Sequence, residues 1–166
     1  MEPKIHSEFM LPFIESTHST FELMMNRKVR RKDVYIKKNF VMFGDISGVV
    51  GVSGNVCGTS SISLPADFAV EVIGDLMAEE IEGGIADKVV QDGVGEIINM
   101  IAGGAKTALG STADKLEYTL PTIVSGRGHE LYYRGDSTVV SMIFETERGE
   151  EFALDICIQE SGYHLD

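Results

Sequence analysis

The chain has 166 residues, 43% of them apolar, and a formal net charge of −12. That length suits one domain with one sizeable core, and the apolar content excludes a disordered or membrane-embedded chain. The charge argues against nucleic acid and anionic membrane surfaces, which both call for a positive patch, and suits a partner that presents a lysine or another cation.

The opening residues, MEPKIHSEFM, lack a positive region followed by an apolar core, so no signal peptide is expected. No apolar run approaches the roughly 20 residues of a membrane span. A cytoplasmic protein is expected. Residues 5–26 read as an amphipathic helix with Phe9, Phe13, Phe21, Met24 and Met25 among its apolar positions, and Pro12 marks either its true start or a kink. The only basic cluster follows, Arg27, Lys28, Arg30, Arg31 and Lys32, and is expected to be a solvated turn. From Val34 to Leu64 the pattern is β. DISGVVGVSGNVCGTSSISLP reads as a hairpin turning at Gly54-Asn55, a pair suited to positive φ. Its glycines do not make a nucleotide loop, because a phosphate-binding loop runs from a strand into a helix N-terminus and here a second strand follows.

Pro65 and Ala66 open a second helix with Phe68, Val72, Ile73, Leu76 and Met77 inward. The link EGGIAD leads into a long helix, Val89 to Gly110. Then come an extended segment broken by Pro121, a loop-like GRGHELYYRGD, and a second hairpin around Arg148-Gly149. This order predicts an α+β fold, with two or three helices covering one face of a largely antiparallel sheet, in a single domain spanning 1–166. Cys57 and Cys157 both fall in strands and are expected to be buried free thiols.

The long helix is the informative segment. A helix advances roughly 100° per residue, so residues three or four apart share a face. Val90, Val94, Ile97, Ile98, Ile101, Ala105 and Leu109 form one apolar stripe, and Asp92, Glu96, Asn99, Gly103 and Gly110 lie opposite. Glycine inside a helix costs about 0.5–1 kcal/mol relative to alanine, so Gly93, Gly95, Gly103 and Gly104 call for a use. Close packing suits Gly95 and Gly104, near the flanks of the buried stripe. Gly103 leaves a gap beside Asn99 where another backbone can approach. Taken alone, a Glu and an Asn on an outer face read as solvated residues.

Other chemistries fail on inspection. Neither cysteine has an arginine six residues on, and no Asp-x-Asp pair or Gly-x-Ser-x-Gly elbow occurs. GGAKT, Gly103 to Thr107, carries Ala105 where a P-loop has glycine and lies within a helix. His6, His18, His129 and His164 have no metal-ligand spacing. An enzyme of this composition needs a partner to supply most of the active site.

VGEIINMIAGGAKTAL, with the only Glu-x-x-Asn of the chain at Glu96 to Asn99, resembles the CheX type of the CheC/CheX/FliY group of bacterial chemotaxis phosphatases. The likeness also takes in GDISGVVGVSG, LPTIVSGRGHE and IFETERGEEFAL, and so runs over nearly the whole length. CheC-type members carry two such motifs. Here the preceding helix reads Glu71-Val72-Ile73-Gly74, so the one-motif CheX pattern applies. The resemblance implies dephosphorylation of a phosphorylated CheY-like response regulator. That partner brings the phosphoaspartate, the Mg²⁺ and a lysine, and this chain binds no cofactor or metal of its own.

By the same resemblance Asn99 orients the attacking water and Glu96 pairs with the regulator's lysine. A carboxamide can fix a water without ionising, as a glutamine does in GTPases. A carboxylate is an acceptor-only partner for an ammonium group. Gly103 gives the regulator's backbone room and Met100 adds apolar contact. Asp92 either tunes the charge or is merely solvated. The resemblance also implies a homodimer joined along strand edges, for which the C-terminal hairpin offers an edge. The alternative is a non-catalytic docking module for response regulators or flagellar switch components. A small-molecule binder has no pocket signature in its favour.

Overall fold

The computed structural model describes residues 7–54, 56–110, 116–133 and 137–160. Helix α1, Ser7–Met25, buries Phe9, Phe13, Phe21 and Met25. Met24 is 51% exposed, contrary to the pattern, and Pro12 lies inside the helix rather than at its start. Asn26 ends α1 in a left-handed conformation with φ 50°, and the Arg27 amide donates back to the Phe21 carbonyl at 3.0 Å. This is the geometry that reverses a chain at a helix end, and it turns Arg27 inward. Of the basic cluster, Lys28, Arg30, Arg31 and Lys32 are exposed as expected, but Arg27 is buried, and the residues from Val29 form a strand rather than a turn, β1, Val29–Ile36.

β2, Ile46–Ser53, and β3, Val56–Leu64, make the expected hairpin, with Gly54 at φ 134°. Asn55 lies outside the described residues, as do 111–115 and 134–136 of the predicted loops, and His6 and His164. Helix α2, Ala66–Met77, starts where the Asp45 carboxylate accepts from the Ala66 amide at 2.8 Å. It buries Phe68, Ala69, Val72 and Ile73, whereas Met77, expected inward, is exposed. A 3-10 turn, Gly84–Ala86, precedes helix α3, Lys88–Leu109. The remaining strands are β4, Glu117–Tyr118, β5, Thr122–Ser125, β6, Val140–Thr146, and β7, Glu151–Glu160. Gly149, at φ 91°, serves the β6–β7 turn.

The fold is α+β. Its seven strands form one antiparallel sheet in the order β1-β6-β7-β3-β2, with β4 and β5 both pairing along the far side of β2. The C-terminal hairpin does not supply an edge: β6 is paired to β1 and β7, and β7 to β6 and β3. The edge is β1. The three helices cover one face, over Ile46, Val50, Ile62, Leu64, Phe144, Phe152 and Leu154. Phe21 stacks on Phe152 there with centroids 4.3 Å apart.

The polar positions of the alternating strands face the other way, yet they are buried as well. Ser47, Ser61, Ser63, Ser141 and Asp155 have almost no exposure. Residues 37–44 and 126–131 cover them, cross-linked by Met42 N–H to His129 O and Leu131 N–H to Phe40 O, each at 2.9 Å. The Ser47 hydroxyl meets His129 Nε2 at 2.7 Å, and Gly44 N–H donates to Ser63 Oγ at 2.8 Å. Lys37 Nζ donates to Asp155 Oδ2 at 2.8 Å, with the two side chains only 6% and 2% exposed. Of the cysteines, both free, Cys157 is buried as expected but Cys57 is exposed.

Removing one member of a buried ion pair leaves an uncompensated charge. Asp155→Ala is therefore expected to destabilise the protein by about 3–5 kcal/mol in urea denaturation, and a Lys37→Met/Asp155→Leu pair by less.

Candidate functional site on helix α3

The start of α3 is set by Asp87, whose carboxylate accepts from the Val89 amide at 2.9 Å, an N-cap that satisfies a donor with no partner inside the helix. Gly110, at φ 56°, follows its last residue. The inner stripe is as the spacing predicts: Val90, Val94, Ile97, Ile98, Ile101 and Ala105 are wholly buried, while Leu109 is half-buried.

Glycines bring α3 close to each neighbour. A Cβ on Gly48 of β2 would sit 3.2 Å from the side chains of Val94 and Ile98. A Cβ on Gly93 would lie 2.6 Å from the Ile73 side chain of α2, and one on Gly104 2.2 Å from the Ser16 hydroxyl of α1. That hydroxyl donates to the Ile101 carbonyl at 2.7 Å. Gly95 faces Pro121 and Ile123, which a Cβ would touch at 3.5–3.6 Å. Gly103 has nothing within 4 Å.

The outer face is therefore open. Asp92, Glu96, Asn99, Gly103 and Gly110 are all exposed. Met100 is half-buried and packs partly on the core, so only part of it reaches the surface. The arrangement presents a carboxamide and a carboxylate on a rigid support. Among the described residues no group of three His, Cys, Asp or Glu side chains could hold a metal ion, and no helix is long and apolar enough to cross a membrane. The contact between Gly95 and Pro121 was not legible in the sequence, where Pro121 marked only a break in a strand.

A cleft of about 440 Å³ lies elsewhere, lined by Met24, Asn26, Arg27, Asp75, Glu147 and Arg148 among others, with no residue of α3. Two of its three cations, Arg27 and Arg148, are already engaged. Arg27 donates to Glu71 and Asp75, both at 2.7 Å, and to Glu150 at 3.5 Å. Burial alone would lower the Arg27 pKa, but its bonds to Glu71 and Asp75 outweigh this and raise it. Arg148 also reaches Glu71, at 3.1 Å. Glu71, the glutamate of the incomplete motif on α2, is thus held in a cluster of ion pairs.

A family model described as chemotaxis phosphatase CheX matches residues 46–145. The chain is 25% identical over 114 residues to the CheY-P phosphatase CheX of Thermotoga maritima, a stretch covering 69% of this chain and 72% of that protein. It is similar to the crystal structure of the chemotaxis protein CheX of Vibrio vulnificus, with a TM-score of 0.80 and 30% identity, over 92% of this chain and 99% of the other. The CheX of a CheX–CheY complex with BeF3 and Mg²⁺ from Borrelia burgdorferi shares the fold, with a TM-score of 0.76 at 23% identity, over 92% of this chain and 98% of that one.

The two adjacent glycines should respond oppositely to alanine. Gly103→Ala gains helix propensity at no steric cost and is expected to stabilise by up to about 1 kcal/mol in thermal or urea unfolding. Gly104→Ala drives a methyl into Ser16 and breaks its bond to Ile101, an expected loss of about 1–3 kcal/mol.

Proposed function

This chain belongs to the chemotaxis phosphatase CheX family, and from that premise we propose that it hydrolyses the aspartyl phosphate of a CheY-like response regulator with Asn99 and Glu96. One observation carries the assignment: these two side chains stand exposed on one face of a helix whose opposite face is buried from Val90 to Ala105. Such a face can enter a partner's pocket without rearranging its own support, which removes an entropic cost from the encounter. The relatives support the substrate: one is a CheY-P phosphatase, and another is a complex with CheY, BeF3 and Mg²⁺.

The step needs little from this chain. The Asn99 carbonyl accepts a hydrogen bond from water and so aims the water's lone pair at the phosphorus, and the water's protons leave with the phosphate. The water oxygen bonds to phosphorus as the bond to the aspartyl oxygen breaks, giving inorganic phosphate and a free carboxylate. An acyl phosphate is already activated, so positioning supplies much of the rate. Glu96 pairs with the regulator's lysine, a bond that strengthens as the interface excludes water. The Mg²⁺ comes with the regulator. Among the described residues of this chain no group of three His, Cys, Asp or Glu side chains could hold it. Gly103 admits the regulator's backbone, Met100 adds an apolar edge, and Asp92 contributes charge at the rim. The protein acts in the cytoplasm, as one domain and as a homodimer. The edge for pairing is β1, bonded only to β6 among the described strands, with Val34, Tyr35 and Ile36 each exposed by more than 40%.

Docking without hydrolysis is the competing reading, and a decay assay separates the two. With a phosphorylated CheY-like regulator the wild type should speed phosphate loss. Asn99→Ala should lose about 100-fold or more of that acceleration while still binding. Glu96→Ala should weaken binding about tenfold, in a salt-dependent way. Binding by the wild type with no faster decay would establish docking alone. For the dimer, Val34→Lys/Ile36→Lys places charge along the β1 edge and should convert dimer to monomer in light scattering. A monomeric wild type would refute edge pairing.

A further inference from the structure

We propose that Leu120 is an apolar anchor on which the receiver domain of the phosphorylated regulator seats beside Asn99; this rests on the reading of α3 as the regulator-facing surface. Leu120 is 87% exposed, the most exposed large apolar side chain among the described residues. A lone surface leucine needs no explanation, but the way this one is held does. It lies in a short excursion between β4 and β5, which pair with β2 on either side of it, Tyr118 opposite Val52 and Thr122 opposite Val49. Thr119 is clamped to Gly51 in both directions: its amide donates to the Gly51 carbonyl at 3.0 Å, and its hydroxyl accepts from the Gly51 amide at 2.7 Å. Pro121 fixes its own φ on the other side. The backbone presenting Leu120 is already ordered, so a contact there requires little further ordering.

Its place picks out the occupant. Pro121 lies against Gly95, and Gly95 and Asn99 are one helical turn apart on the same side of α3. The other flank of α3 is closed, since Gly93 and Gly104 are packed against α2 and α1. A body pressed onto Asn99 therefore has the Leu120-Pro121 excursion at its side. The exposed acids Asp92 and Glu96 on the outer face of α3 and Glu117 on β4 suit a partner surface that carries a lysine next to an apolar patch, the pattern of an apolar centre with a charged rim.

The test is binding of a CheY-like regulator loaded with BeF3 and Mg²⁺ to the wild type, Leu120→Asp, Leu120→Met and Asn99→Ala, with phosphate decay followed over a range of regulator concentrations. Leu120→Asp should weaken binding and raise KM by about tenfold or more, with kcat within about twofold and the melting temperature unchanged. Leu120→Met should behave as wild type, and Asn99→Ala should show the opposite split, lost kcat with binding kept. Binding by Leu120→Asp within about twofold of wild type overturns the anchor. A wild type that binds without speeding decay overturns the phosphatase step, and the binding series still decides Leu120. A wild type that does not bind the loaded regulator overturns both.

Discussion

The distance at which α3 is held from its neighbours governs the rest of this molecule. Glycines at 48, 93 and 104 let the sheet, α2 and α1 each approach where a methyl group would collide or crowd. Closer approach multiplies dispersion contacts and shuts out water, which offsets the propensity that glycine forfeits inside a helix. A helix gripped on three sides has one free face, and that face carries Glu96 and Asn99. The open surroundings of Gly103 mark where the grip ends.

Electrostatics reinforce the same frame from two remote places. Arg27, turned inward by the left-handed Asn26, ties the end of α1 to Glu71 and Asp75 of α2 and to Glu150 next to β7. Lys37 and Asp155 lock the covering segment onto the opposite face of the sheet. Breaking either would expose a charge inside a low-dielectric layer, so each resists local opening more than an exposed pair would. The acidic surplus is left to the surface. There it repels anions and favours cationic groups at long range.

The site itself is chemically sparse. It holds a carboxamide, a carboxylate and a notch, with no nucleophile and no metal-binding cluster among the described residues. On the function proposed above, such a set acts only when a partner brings an activated bond. The rigid support of α3 then matters more than the reactivity of any one group, because orienting a water is worth little if the orienting residue can move. The pinned excursion at Leu120 fits the same logic of preformed contact.

Much of this was legible along the chain. The stripe of α3, its opposite polar face, both hairpins and the α+β order follow from local periodicity and from glycine at turns, which depend on residues close in sequence. What failed depended on distant partners. Arg27 looked solvated because its acids lie 44 to 123 residues away. Met24 looked inward, but the adjacent Met25 takes the buried position, and Met77 is the last residue of α2. The C-terminal hairpin looked like an edge because its lateral neighbours, β1 and β3, are far earlier in the chain. Local sequence decided which face of α3 is apolar and which carries the exposed carboxylate and carboxamide. Tertiary structure alone decided which glycines are closely packed, which strands are edges and what stands against Gly95, because each is set by a contact between segments that no sequence spacing connects.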